Sequence, residues 1–129
     1  MSSMFDDVGE FHKVILHVAQ PESPTLISAD FVLERYRFLS EELDEYFEAG
    51  MHGDIVKATD GLLDIVYVAL GTLYMMGIPA DECWAHVQKA NMQKVLGMTS
   101  RGNKIDAQKP EGWVPPDIAI AATIERLIK

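Results

Sequence analysis

Four carboxylates fall where a carboxylate is costly. Over residues 30–49, at about 100° per residue, Val32, Tyr36, Leu39, Leu43, Tyr46 and Phe47 gather into one apolar stripe. Glu41, Asp44 and Glu48 point to the opposite side, where acids are ordinarily solvated. Glu42 falls on the edge of the stripe and Glu45 lies one turn along beside it, with Phe31 and Phe38 on the same flank. The stretch from Asp54 to Met76 is apolar nearly all round. Its few polar positions, Lys57, Asp60, Asp64 and Tyr67, with Gly71 and Tyr74 beyond, are spaced alternately by three and four and so share one face. Asp60 and Asp64 at i and i+4 repel each other. On so apolar a helix they need a cation or a hydrogen-bond partner to offset that cost. An antiparallel hairpin across Gly50-Met51-His52-Gly53 brings Glu42 and Glu45 level with Asp60 and Asp64. Four oxygen ligands without nitrogen or sulfur suit a hard divalent cation, magnesium or manganese. Taken singly, each acid also reads as a solvated surface residue.

The elements that must position these groups are helical. No alternating strand pattern and no Asn-Gly or Asp-Gly hairpin signal occurs. The spacing predicts a first helix from about Met4 to Val18, with Phe5, Val8, Phe11, Ile15 and Val18 on one face, broken by Pro21 and Pro24. A second starts near Ser28 or Asp30 and ends at Ala49, with Gly50 just beyond. A third runs from near Asp54 to Met76, stopped by Gly77 and Pro79, and a fourth from Pro79 or Ala80 to Leu96, closed by Gly97. A loop over 98–116 carries Arg101, Lys104 and Lys109, and Asp117 caps a last helix ending at Lys129. The expected fold is all-α, a bundle of about five helices. Because four short partners hardly wrap an all-round apolar third helix, a four-helix core completed by homo-oligomerisation is expected, as a homodimer or homotetramer.

Composition narrows the classes of function. The 129 residues amount to one ordinary globular domain. Eleven Lys and Arg against twenty Asp and Glu leave a formal net charge of −9, which repels phosphate backbones and argues against a nucleic-acid polymer as partner. The single cysteine, Cys83, excludes an internal disulfide and a Cys-based zinc site, and fits a reducing, cytoplasmic setting as a core or interface thiol. The acidic start, with Asp6, Asp7 and Glu10, lacks the basic region of a signal peptide. The uncharged run 65–80 is shorter than the ~20 residues that span a bilayer, so no membrane partner is expected. His12, His17, His52 and His86 never stand in a Glu-x-x-His pair, which argues against a di-iron bundle, and Glu82 with His86 reads as a surface pair. Trp113 reads as a packing residue.

The run Glu41-Glu42-Leu43-Asp44-Glu45, followed by Asp60-Gly61-Leu62-Leu63-Asp64, resembles the signature of the all-α nucleoside triphosphate pyrophosphohydrolases, the MazG-like and phosphoribosyl-ATP pyrophosphohydrolase-like enzymes. That signature is EExxE on one helix and ExxD on the next. Glu41, Glu42 and Glu45 match the first part and Asp64 the second, while Gly61 stands where ExxD has its glutamate and Asp60 is the neighbouring substitute. Downstream, Gly71-Thr72, Asn91-Met92-Gln93-Lys94, Lys104 and the segment Lys109 to Asp117 continue the likeness. It covers about Met4 to Asp117, so residues 1–129 read as a single domain of this type.

The resemblance implies magnesium-dependent hydrolysis between the α- and β-phosphates, giving a nucleoside monophosphate and pyrophosphate, in the manner of nucleotide-pool housecleaning. It assigns Glu42, Glu45 and Asp64, with Asp60 in support, to magnesium or manganese. Glu41 or Glu45 takes the proton of the attacking water. Asn91, Lys94, Lys104 and Lys109 become contacts for the nucleotide and its phosphates. Two rival readings share the scaffold: phosphoribosyl-ATP hydrolysis, and a non-catalytic helical dimer acting as a binding module in which Gly61 marks a lost ligand. If Asp60 replaces the glutamate, Gly61→Glu keeps thermal stability only with magnesium. If Gly61 serves a close helix approach, that substitution destabilises with or without it.

Overall fold

The computed structural model describes residues 1–97 and 106–128. The chain divides into two compact units, Met1–Ala80 and Asp81–Lys129.

The first unit holds α1 (Met4–Val14), α2 (Ala29–Met51) and α3 (Ile55–Met75). A reciprocal capping box starts α1: the Ser3 hydroxyl accepts from the Asp6 N–H and the Asp6 carboxylate from the Ser3 N–H, each at 3.0 Å. The helix stops at Val14, not at Val18 as its apolar periodicity predicts. His17 turns into the left-handed region at φ 57°, and the Val18 carbonyl is taken by the Tyr74 hydroxyl at 2.8 Å. Ser28 caps α2 as expected, accepting from Phe31 N–H. The helix runs through Gly50 to Met51, because Gly53, at φ 74°, is the residue that takes the left-handed turn. Asp54 caps α3 through the Lys57 N–H at 3.0 Å, and Gly77, at φ 67°, follows its end.

Two fixed points set α2 against α3. At one, Arg35 Nε donates to Thr72 Oγ1 and Nη2 to the Val68 carbonyl, both at 2.9 Å. At the other, Gly61 lies so near Tyr46 that a Cβ added there would stand 3.2 Å from the Tyr46 backbone. Arg35 to Tyr46 and Thr72 to Gly61 are each eleven residues, so the helices run antiparallel in matched register over about three turns. The predicted hairpin is therefore present, with Glu42 and Asp64 between its fixed points.

Helix α1 then divides the polar stripe of α3. Phe11 packs edge-on against Tyr67 at 5.6 Å, and Tyr74 meets His12 at 5.1 Å and Phe5 at 6.5 Å. His12 is buried, its Nδ1 donating to the Val8 carbonyl, and its ring sits where a Cβ on Gly71 would approach to 2.6 Å. Tyr67, Gly71 and Tyr74 are thus taken up by α1, while Asp60 and Asp64 are left to the acids of α2. On the other flank of the hairpin, Val32, Tyr36, Leu43, Phe47, Leu62 and Val66 are 41–65% exposed.

The second unit holds α4 (Ala80–Asn91), β1 (Val95–Leu96), β2 (Ala107–Gln108) and α5 (Asp117–Leu127). Two expectations are corrected here. Helix α4 ends at Asn91 rather than Leu96, and Val95 and Leu96 instead pair antiparallel with Gln108 and Ala107, a two-residue ladder in a chain that carries no strand pattern. Pairing with a distant segment satisfies the backbone groups that a longer helix would have used. Asp117 is the first residue of α5 and not its cap, a place taken by Pro116, whose preset φ suits a helix start. Glu82 is bound by Arg126 Nη2 at 2.8 Å and His86 Nε2 meets the buried Thr123 hydroxyl at 2.9 Å, so these two do not pair with each other. Cys83 is buried, as expected of a core thiol. Lys104 and Arg101 lie outside the described residues.

The described fold is all-α apart from that short ladder, with five helices. No single described helix is long and apolar enough to cross a membrane.

Candidate active site

The α2–α3 seam collects the acids. Glu42 faces it one turn before Tyr46, and Asp64 enters one turn after Asp60, so helical geometry alone carries Glu42, Glu45 and Asp64 to one level. Glu42 is the most perturbed of them. Burial, and after it the Glu45 and Asp64 carboxylates alongside, push its pKa up to about 7 from an ordinary 4.5. Its Oε2 is buried without a hydrogen-bond partner. Ionised carboxylates offer only lone pairs, so Glu42 either keeps a proton that it shares with Glu45 or Asp64, which also raises its pKa, or needs something positive beside its orphaned oxygen. An orphaned carboxylate oxygen among acids is what a hard divalent cation would satisfy. The donor set, all oxygen, fits magnesium or manganese.

Asp60 takes a different place. It is exposed and lines, with Glu45, Glu48, Ala49, His52, Asp54 and Lys57, a cavity of about 490 Å³ at the turn between α2 and α3. Glu45 belongs to both settings, beside Glu42 and on the cavity wall. Among the described residues no group of three or more acid, histidine or cysteine side chains is placed so that it could hold a metal ion as the side chains stand. Glu41 is exposed on the solvent side of α2.

Periodicity did not reveal Arg35. It precedes Glu42 by seven residues, hence on the same face of α2, and its guanidinium clasps α3 one turn beyond Asp64 while lying 5.7 Å from the Phe38 ring centroid. The available signal was an arginine at heptad distance from the edge acid. What it grips lies 33 and 37 residues away and is invisible to a local pattern.

In the second unit, Asn91 closes α4 and its carbonyl accepts from the Lys94 N–H at 3.1 Å. Lys94 and Lys109 come together on Trp113, each ammonium 5.1 Å from the indole centroid. The indole Nε1 donates to the Ala90 carbonyl at 2.7 Å. Trp113 is therefore a packing residue with two charged neighbours, which its sequence context did not show.

No curated protein matches the chain. A family model described as phosphoribosyl-ATP pyrophosphohydrolase matches residues 8–91. That stretch reaches from within α1 to the end of α4 and includes Glu41, Glu42, Glu45, Asp60, Asp64 and Asn91. An enzyme acting on a phosphoanhydride bond is what such a match supports. The chain belongs to the phosphoribosyl-ATP pyrophosphohydrolase family, within the all-α MazG-like nucleoside triphosphate pyrophosphohydrolases.

Proposed function

We propose that the protein is a magnesium-dependent pyrophosphohydrolase that cleaves a nucleoside triphosphate between its α- and β-phosphates, releasing a nucleoside monophosphate and pyrophosphate. The observation that carries this reading is the buried, unpartnered Oε2 of Glu42 beside Glu45 and Asp64. Glu42, Glu45 and Asp64 would hold magnesium, with Asp60 reaching from the cavity wall and manganese as an alternative. A divalent cation there offsets charge on the phosphate oxygens and lowers the pKa of the attacking water. The chain's own part is positional and proton-accepting. Glu45, shared between the seam and the cavity, or Glu41 behind it, accepts the water proton. The Arg35 clasp and the Gly61–Tyr46 contact hold the acids of both helices in register. Asn91, Lys94, Lys104 and Lys109 serve the nucleotide and its phosphates.

The exposed apolar flank of α2 and α3 supports assembly with a second copy, because six large apolar side chains in water are costly to leave uncovered. Phosphoribosyl-ATP is the second reading of the substrate, favoured by the description of the family that matches. Pyrophosphate release from a nucleotide panel that includes phosphoribosyl-ATP, with magnesium and with EDTA, tests all of this. Release from canonical or modified triphosphates supports the housecleaning role, and release from phosphoribosyl-ATP alone supports the second reading. No release from any member, in a folded chain with magnesium, would reduce the protein to a binding module.

A further inference from the structure

Phe38 and Tyr67 are 44% and 40% exposed, and both stand on the flank of the α2–α3 hairpin that carries the acids. Phe38 precedes Glu42 by one turn, on the side where Glu45 lies. Tyr67 follows Asp64 by three residues, on the side where Asp60 lies. The register set by Arg35 against Thr72 and by Tyr46 against Gly61 puts residue 38 opposite residue 69. The two aromatic positions therefore differ in level by about 3 Å. Packed helices lie about 8–10 Å apart, and a planar ring stacked between two others needs about 7 Å, twice a van der Waals contact. Each ring is held from outside the pair. Phe11 of α1 packs edge-on against Tyr67 at 5.6 Å, and the Arg35 guanidinium lies 5.7 Å from the Phe38 centroid. That guanidinium is tied to α3 through Nε and Nη2, and its Nη2 stands 3.0 Å from where a Gly71 Cβ would be, one turn beyond Tyr67. The third nitrogen, Nη1, makes no hydrogen bond among the described residues, so its N–H donors are left for a ligand beside Phe38. From Phe38 to Glu42 is about 6 Å along α2, a span that a sugar between base and phosphate can bridge.

We propose that Phe38 and Tyr67 seat the nucleobase of the substrate, with Arg35 Nη1 donating to an acceptor on the base edge. Stacking reads a planar π-face and not one particular edge, so the seat admits purines and pyrimidines and favours the larger purine. This deepens the proposed function and rests on it for the triphosphate that must reach Glu42, Glu45 and Asp64. The stacking itself needs neither phosphate nor cation.

The test adds the nucleoside inosine to the full chain in EDTA, with ribose as the probe that lacks a base, and follows the aromatic ring protons by NMR. Inosine shifts the Phe38 and Tyr67 resonances, identified by their loss in Phe38→Leu and Tyr67→Leu, and ribose shifts neither. In turnover with magnesium, Phe38→Leu raises KM for the triphosphate about fivefold to a hundredfold, the range for one stacked base, and leaves kcat within about twofold. Phe38→Tyr keeps a ring and restores KM. Inhibition by inorganic pyrophosphate, which has no base, is the same in parent and variants. Circular dichroism establishes that each variant is folded. Inosine that shifts neither ring at millimolar concentration, or a KM that Phe38→Leu does not move, overturns the seat. Hydrolysis with an unmoved KM leaves the proposed function standing without the seat. Inosine shifts at Phe38 and Tyr67 in a chain that hydrolyses no nucleotide keep the seat and overturn the function.

Discussion

Gly61 faces the backbone of Tyr46 across the α2–α3 seam, and a Cβ placed on it would stand 3.2 Å from both the nitrogen and the Cα of that tyrosine. The position at which the family signature has a glutamate is here buried in a close helix approach. Backbone cannot swing aside as a side-chain tip can. A side chain at this point would have to shift the facing backbone by a few tenths of an ångström, within the seam that aligns Glu42 with Asp64.

Gly61→Glu is therefore expected to destabilise with and without magnesium, by about 1–3 kcal/mol, as overpacking does. The gain of replacing a helical glycine, ~1 kcal/mol at most, does not offset it. Melting curves in magnesium and in EDTA check this. Unchanged stability in magnesium would mean that the added carboxylate finds the cation site.

Asp64→Asn is expected to abolish pyrophosphate release while leaving the helical circular dichroism intact, because it removes a charge from the seam but hardly any volume. Asp60→Ala is expected to cost activity nearly as severely if its place on the cavity wall is a ligand's place. A silent Asp60→Ala would remove Asp60 from the site and leave the Glu42–Glu45–Asp64 cluster.

The perturbed Glu42 makes stability depend on pH. Its folded pKa, about 7, exceeds its ordinary 4.5, so between those values the folded chain holds a proton that the unfolded chain has lost. Metal-free stability is then expected to fall as pH rises from about 4.5 to about 7 and to level off above. Glu42→Gln should flatten that slope, and magnesium should restore stability most at the alkaline end. Urea midpoints in EDTA across this range, rising with pH at this residue's expense, would contradict the assignment.

The exposed flank of α2 and α3 leads to an assembly prediction. Light scattering at micromolar concentration is expected to give at least twice the 14.4 kDa of one chain. Leu43→Asp, in the middle of that flank, should lower the mass towards one chain. A monomeric parent would refute the expectation.

Arg35→Ala should destabilise the hairpin by roughly 1.5–3 kcal/mol, the range for hydrogen bonds to a charged group, since it leaves Thr72 and the Val68 carbonyl without their cross-helix donor. Thermal or urea unfolding measures it, and a loss under 0.5 kcal/mol would mean that water replaces the guanidinium.

Helical periods made α2 and α3 readable, because the spacing of apolar residues and the caps at Ser28 and Asp54 are local properties. The anomaly of acids on apolar faces was legible for the same reason: face membership of Glu42, Glu45, Asp60 and Asp64 follows from residue spacing alone. What spacing does not contain is which neighbour arrives from far along the chain. That α1 covers Tyr67, Gly71 and Tyr74 and leaves Asp60 and Asp64 open depends on where Phe11 and His12 dock. Helix α4 stops at Asn91 because residues 95–96 find 107–108, and Lys94 and Lys109, which flank that pairing, both stand beside Trp113. Gly61 could be read from sequence as a lost ligand or as a contact, and the contact itself shows only in the approach of the Tyr46 backbone. Burial and register are properties of pairs of segments, and a one-dimensional pattern carries each segment's preference without naming its partner.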